Sequence, residues 1–130
     1  MQQTLARGAQ AYYQTQIQSR SPLELVVMLY DGALRFLQQT IDAMESRDLV
    51  AKRDSLSRAM AIVTELHGML DLEQGGEVAA SLDSLYTYMM ERLTTANQQR
   101  DTAPVAEVMR LMSGLRDAWS QIAQAPPPAA

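Results

Sequence analysis

Apolar residues recur every three or four positions in four segments of the chain, which is the spacing of one buried face of an α-helix. The first segment follows Ser21-Pro22-Leu23-Glu24, where Ser can cap the helix, Pro suits its first turn and Glu completes a capping box. This helix is predicted to end near Ser46, with Asp48 placed to cap the next. Its stripe consists of Leu23, Val26, Tyr30, Leu34, Leu37, Ile41 and Met44.

The other three segments predict helices of similar length joined by short connections. The second helix should end near Asp71, before Gly75-Gly76, because glycine allows the left-handed geometry of a helix stop. Residues Asn97 to Thr102 should be the frayed end of the third helix and a loop, and Pro104 suits the start of the fourth. Their stripes are Leu49, Leu56, Met60, Val63, Leu66 and Leu70; then Leu82, Leu85, Tyr86, Met89, Leu93 and Ala96; then Val105, Val108, Met112, Leu115, Trp119 and Ile122.

The short connections determine the predicted fold class. They force helices that are consecutive in the sequence to lie antiparallel. We therefore expect an all-α protein, an antiparallel up-down four-helix bundle over residues 21–124. Residues 1–20 are polar with isolated apolar positions, and they predict an N-terminal arm or short helix. Pro126-Pro127-Pro128 prevents further helix, so residues 125–130 predict a Pro-rich disordered tail.

Composition and charge narrow the class of protein. The 130 residues suffice for one domain, and an aromatic content of 5% argues against a sheet protein. The absence of cysteine excludes disulfides and is consistent with a reducing cytosol. With a net charge of −4, no signal-peptide core and no apolar run of about 20 residues, we expect a cytoplasmic protein. We expect neither a nucleic-acid partner nor membrane insertion.

Candidate catalytic and metal-binding groups are sparse. His67 is the only histidine, and Glu65, two residues away, lies on the opposite side of a helix, unlike the Glu-x-x-His pair of helical di-iron sites. We therefore expect His67 to be a capping or surface residue. Gly75-Gly76 follows no predicted strand and precedes no lysine, so it is not a phosphate loop. The sequence predicts no enzyme, no catalytic residue, no metal site and no cofactor.

The first helix carries more apolar residues than one buried face requires, which is about three positions in seven. The extra positions are Leu25, Met28, Leu29, Gly32 and Phe36. The second helix repeats this pattern mildly at Ile62 and Met69, and the fourth at Met109 and Leu111. The N-terminal arm could cover this face through Tyr12, Tyr13 and Ile17, or an amphipathic segment of a partner could replace the arm there. Monomers rarely leave such a patch unused, so the pattern favours a partner. Pairing of two copies, as a homodimer, is a third interpretation.

A series of short motifs also runs through the chain in a fixed order. They are Ala11-Tyr12-Tyr13-Gln14, Ser21-Pro22-Leu23-Glu24-Leu25, Met28-Leu29-Tyr30-Asp31-Gly32-Ala33-Leu34, Leu70-Asp71-Leu72-Glu73-Gln74-Gly75-Gly76-Glu77, Leu82, Leu85-Tyr86, Tyr88-Met89, Ala96-Asn97 and Ala118-Trp119. In this combination, over residues 11–120, the chain resembles the flagellin-specific export chaperone family, FliS.

This resemblance implies a cytoplasmic chaperone for flagellin. Such a protein binds the disordered C-terminal segment of flagellin, prevents its premature polymerisation and delivers it to the flagellar type III export apparatus, with the export gate as a second candidate partner. It also implies that the arm can lie over the binding surface, through a Tyr-x-Gln-like element that either Tyr12 or Tyr13 supplies. The predicted partner-binding residues are Tyr12, Tyr13 and Ile17 as a displaceable cover, and Leu25, Met28, Leu29 and Phe36 beneath it. The alternative function is a helical adaptor or structural homo-oligomer.

Overall fold

Four helices account for most of the structure, a computed structural model that describes residues 21–124. They are α1 (Pro22–Glu45), α2 (Leu49–Gly68), α3 (Gly76–Gln99) and α4 (Ala103–Gln124). The prediction of an all-α protein is confirmed. The predicted arm, residues 1–20, and the predicted tail, residues 125–130, lie outside the described residues, so the division of the chain into three parts stays a prediction.

The first two helices begin where their capping signals place them. The side-chain oxygen of Ser21 accepts a hydrogen bond from the backbone N–H of Glu24, at 3.2 Å. Asp48 accepts one from the backbone N–H of Ala51, at 3.0 Å. Each contact satisfies an N–H that has no partner within the helix, so the local sequence fixes both start points.

The connection between α2 and α3 differs from the prediction, because α2 ends at Gly68 rather than near Asp71. The Asp71 carboxylate instead accepts hydrogen bonds from the backbone N–H groups of Glu73 and Gln74, at 3.1 and 3.0 Å. An aspartate that binds the backbone two and three residues ahead favours a turn over a helix. Gly76 has φ of +57°, the left-handed conformation that the glycine pair predicts.

The end of α3 differs in part from the prediction, since residues 97–99 are helical rather than frayed, whereas residues 100–102 form the expected loop. Ala96 is completely buried, so the last turn of α3 packs against the rest of the bundle. The helix ends at Arg100, which has φ of +53° and donates its backbone N–H to the carbonyl oxygen of Ala96.

The helices form a closed ring of four. Helix α1 packs against α2 and α4, and α3 packs against the same two helices from the other side. Three-residue connections at 46–48 and 100–102 make α1 antiparallel to α2, and α3 antiparallel to α4. The prediction of an antiparallel up-down four-helix bundle is therefore confirmed, with α1 and α3 on one diagonal.

One apolar cluster fills the centre of the ring. Its members are Tyr30, Ala33 and Leu37 of α1; Leu56, Ala59, Val63 and Leu66 of α2; Leu82, Tyr86, Met89, Leu93 and Ala96 of α3; and Val105, Val108 and Met112 of α4. Two stripe positions predicted for this core are wrong: Leu49 is 61% exposed and Ile122 is 53% exposed. They lie in the first turn of α2 and the last turn of α4, at the two ends of the helical stripes.

Candidate partner-binding surface

The apolar side chains predicted on the extra face of α1 form two groups in the structure. Leu29 and Phe36 are partly buried and pack against the core cluster. Leu25, which is half-buried, and Met28, which is 36% exposed, lie outside that packed set. Part of the predicted face therefore stabilises the bundle, and the remainder is apolar surface in the N-terminal half of α1.

The side of α1 that faces α2 is closely packed. A Cβ atom at Gly32 would lie 3.3 Å from Cδ1 of Ile62, so the missing side chain lets α2 approach α1 at this point. The Phe36 ring lies near two guanidinium groups, with the Cζ atoms of Arg35 and Arg58 at 5.6 and 5.8 Å from its centroid. At these distances both cations are attracted to the aromatic ring. A partner that reached Phe36 would meet a ring flanked by positive charge.

The side of α1 that faces α4 contains a shallow cleft of about 330 Å³. It is lined by Glu24, Val27, Met28 and Asp31 of α1 and by Arg116, Ser120, Ala123 and Gln124 of α4. Arg116 Nε donates to Asp31 Oδ1 at 2.8 Å, which joins the two helices within the cleft. This hydrogen bond raises the pKa of Arg116, so its guanidinium stays charged. Met28 thus provides apolar surface beside an ion pair, an arrangement suited to an amphipathic segment.

Further apolar surface lies at the end of the bundle where α1 begins. In an up-down bundle, the C-terminus of α2 and the N-terminus of α3 share this end. Met69 is 51% exposed, Leu72 is 57% exposed and Val78 is 66% exposed. The apolar pattern predicts Met69 on the extra face but not Leu72 or Val78, because both lie around the glycine turn and outside the helical stripes. Apolar residues within a polar turn are the signal that could have revealed them.

The three arm residues of the predicted site, Tyr12, Tyr13 and Ile17, lie outside the described residues. The first described residue, Ser21, immediately precedes α1, so the arm joins the bundle at the end that carries Leu25. The predicted site of seven residues stays a prediction, of which the structure describes the four on α1.

His67, expected to be a capping or surface residue, lies in the last turn of α2 and also forms contacts with α3. It is half-buried, and its Nε2 atom lies 2.5 Å from Oδ1 of Asp83 on α3. Its ring also meets that of Tyr86 edge to face, with centroids 6.4 Å apart. The histidine therefore joins α2 to α3. Within residues 21–124, no three His, Cys, Asp or Glu side chains group together as metal ligands would.

Comparison with known proteins identifies the family. The family model described as "Flagellar protein FliS" matches residues 5–126. The chain belongs to the FliS family. The flagellar secretion chaperone FliS of Salmonella typhimurium is 41% identical to it over 90% of each chain. The FliS of Bacillus subtilis is 38% identical, over 88% of this chain and 84% of its own length. That of Campylobacter jejuni is 38% identical over 94% of each.

Membership of FliS confirms the resemblance that the motifs predicted. FliS is a chaperone family, so the prediction that the chain is not an enzyme is confirmed. The family places this bundle in flagellum biogenesis and protein export, as a flagellar export chaperone. None of the helices in the described part of the chain is long and apolar enough to cross a membrane.

Proposed function

We propose that this FliS chain binds the C-terminal segment of flagellin in the cytoplasm, prevents its premature polymerisation and delivers it to the flagellar type III export apparatus. The observation that carries the proposal is the apolar surface in the N-terminal half of α1, where Leu25 and Met28 lie outside the core packing. The relatives' shared description as secretion chaperones supports the export role. The motif resemblance supports flagellin as the guest.

Guest binding is coupled to guest folding in this proposal. The flagellin segment is disordered when free, and its apolar side chains pack into the cleft beside Met28 and across the apolar end of the bundle. Ordering such a segment costs about 2–5 kcal/mol, which offsets part of the free energy gained from burial. The complex can therefore cover a large surface and still release its guest at the export gate, the second partner in this proposal.

The N-terminal arm acts as a displaceable cover. Its apolar residues Tyr12, Tyr13 and Ile17 shield the exposed surface of α1 until the guest replaces them. The connection of the arm to the bundle at Ser21, beside the apolar end, supports this role. Removal of residues 1–20 should therefore tighten guest binding, since the guest no longer competes with the arm. Weaker binding after the removal would instead make the arm part of the guest site.

The decisive experiment measures calorimetric binding of a synthetic flagellin C-terminal segment to two matched double variants. Leu25→Ser with Met28→Ser should raise the Kd at least about tenfold. The control is Leu49→Ser with Val50→Ser, which changes residues that are 61% and 76% exposed at the opposite end of the bundle. The control should bind as the wild type does. Equal affinities for the two double variants would overturn the assignment of the surface.

Two further measurements separate this function from self-association. A flagellin fragment that lacks its C-terminal segment should not bind. Sedimentation of the chain alone should show that the apolar surface of α1 does not hold two copies together as a dimer. A stable dimer that ignores the flagellin segment would favour the structural homo-oligomer instead.

A further inference from the structure

A second surface with a defined chemistry lies at the opposite end of the bundle, where the α1–α2 and α3–α4 connections meet. It is a pocket of about 540 Å³, called the basic pocket below, whose lining includes the cationic side chains Arg47, Lys52 and Arg100. Met44 and Leu49 add apolar surface to it. None of the three cations forms an ion pair with another residue of 21–124.

Among the described residues 21–124, the lining contains one acidic residue, Asp48. Its carboxylate is already occupied by the cap of α2, where it accepts the backbone N–H of Ala51 at 3.0 Å. It therefore offsets one of the three positive charges without pairing directly with any of them. The basic pocket retains an excess of positive charge and free guanidinium donors.

The backbone at the two arginines is unusual. Arg47 has φ of +59° and Arg100 has φ of +53°, and they are the non-glycine residues with positive φ in the described part of the chain. Glycine adopts this conformation without the steric penalty that a side chain brings. An arginine at both positions is therefore unfavourable for folding, which indicates that the side chains have another use.

The helix dipole explains part of the pocket but not all of it. Arg47 and Arg100 follow the C-termini of α1 and α3, where the dipole favours a cation. Lys52, however, lies in the first turn of α2, where the dipole disfavours a cation. It nevertheless lines the same pocket as the two arginines, and the helix dipole does not account for its place there.

The segments of this chain outside the described residues supply no carboxylate side chain. Residues 1–20 contain two arginines and no Asp or Glu, and residues 125–130 contain no charged side chain. The pocket is also too large for one phosphate, and Leu49, an apolar residue of its lining, is 61% exposed. These features favour a peptide in which carboxylates adjoin an apolar side chain.

We propose that the basic pocket binds an acidic segment of a partner protein. The guanidinium groups of Arg47 and Arg100 bind its carboxylates, an arrangement for which arginine is better suited than lysine. Lys52 adds a third charge, and a neighbouring apolar side chain of the segment packs against Met44 and Leu49. Met44 lies about 24 Å along α1 from Met28, at 1.5 Å per residue, so this site is separate from the proposed flagellin surface.

The test is an NMR titration of the full chain with a blocked peptide that carries two adjacent glutamates flanked by leucines. The key variant is Arg47→Gly with Arg100→Gly, because glycine keeps both positive φ angles and the bundle should still fold. The control is Arg53→Gln with Arg110→Gln, which removes the same charge from exposed residues outside the pocket. We expect the key variant to raise the peptide Kd at least about tenfold and the control to change it less than about twofold.

Three outcomes would overturn the proposal. A peptide with glutamines in place of the glutamates that binds equally well would show that carboxylates are not recognised. If inorganic phosphate binds as tightly as the peptide and also loses affinity in the key variant, the pocket is a site for small anions. If the key variant loses as much affinity for the flagellin segment as for the acidic peptide, the pocket is part of the guest surface.

Discussion

The hydroxyl groups of Tyr30 and Tyr86 hydrogen-bond to each other at the centre of the bundle and link α1 to the diagonally opposite α3. The indole Nε1 of Trp119, on α4, donates to the Tyr30 hydroxyl at 3.3 Å. Burial raises the pKa of both tyrosines, so both phenols stay protonated at neutral pH. Three helices thus share one polar network inside an apolar core, where a lost partner is costly.

Removal of the Tyr30 hydroxyl should destabilise the bundle more than removal of the Tyr86 hydroxyl. Tyr30→Phe leaves both the Tyr86 hydroxyl and the Trp119 N–H without their partner, whereas Tyr86→Phe leaves Tyr30 still accepting from Trp119. Each buried polar group left unpaired costs about 1–3 kcal/mol. In urea unfolding, the double variant should lose less free energy of unfolding than the two single variants lose together. Strictly additive losses would show that the hydrogen bond contributes nothing.

The four helices could be predicted from the sequence because local rules determine them. The apolar stripes mark each inner face, and capping residues such as Ser21 and Asp48 mark two of the starts. The Tyr30–Tyr86 pair could not be predicted in the same way. Periodicity puts each tyrosine on an inner face but does not state which side chains meet across a bundle, since that depends on how four helices are staggered.

Replacement by alanine should change the stability of the fold in opposite directions at Gly75 and at Gly114. A Cβ atom at Gly75 would lie 2.5 Å from the Cβ of Ala79 and 2.7 Å from the carbonyl oxygen of Asp71, so backbone would have to shift. We expect Gly75→Ala to destabilise the fold by about 1–3 kcal/mol. A Cβ atom at Gly114, within α4, would meet nothing within 4 Å. Gly114→Ala should stabilise by about 0.5–1 kcal/mol, because alanine favours helix.

Thermal unfolding of the two alanine variants checks this contrast. Both substitutions add one methyl group, so a general effect of added apolar volume would shift the two melting temperatures in the same direction. A lower melting temperature for Gly114→Ala would contradict the expectation that this position is an ordinary exposed helix site.

Glu107 should make the stability depend on pH through its bridge between α3 and α4. Its Oε2 atom accepts from the Tyr88 hydroxyl and its Oε1 atom from Arg92 Nε, both at 2.6 Å. These hydrogen bonds lower the pKa of Glu107 below its ordinary 4.5, and the one from Tyr88 has the largest effect. With the folded pKa below the unfolded one, the stabilisation is complete above the unfolded pKa and is lost as pH falls through the folded pKa.

The corresponding variant is Glu107→Gln, which keeps the shape and removes the charge. Its melting temperature should lie below that of the wild type near pH 7, and the difference should shrink as the pH falls well below 4.5. Glu91→Gln is the control, since Glu91 is exposed on α3 and forms no ion pair within residues 21–124. A difference for Glu107→Gln that stays constant with pH would show that its charge does not stabilise the fold.

The candidate site was only partly predictable. Leu25, Met28, Leu29 and Phe36 follow the same helical spacing, so the pattern alone treats them as equivalent. They differ in whether they pack against the core cluster, which depends on the neighbouring helices and not on the spacing along α1. The basic pocket was less predictable still. It unites two connections that are far apart in the sequence, and its cations appear there as ordinary helix-end residues.

This division of α1 predicts two classes of alanine variant. Leu29→Ala and Phe36→Ala should lower the free energy of unfolding by about 1–3 kcal/mol, because both side chains pack against the core cluster. Leu25→Ala and Met28→Ala should lower it by less than about 1 kcal/mol, because neither belongs to that packed set. Urea unfolding gives the free energy of unfolding of each variant. Binding of the flagellin segment to the same samples should show that Met28→Ala loses more affinity, relative to its loss of stability, than Leu29→Ala does. If Met28→Ala unfolds as readily as Leu29→Ala, Met28 is a core residue, and the apolar surface on α1 is too small to hold a guest.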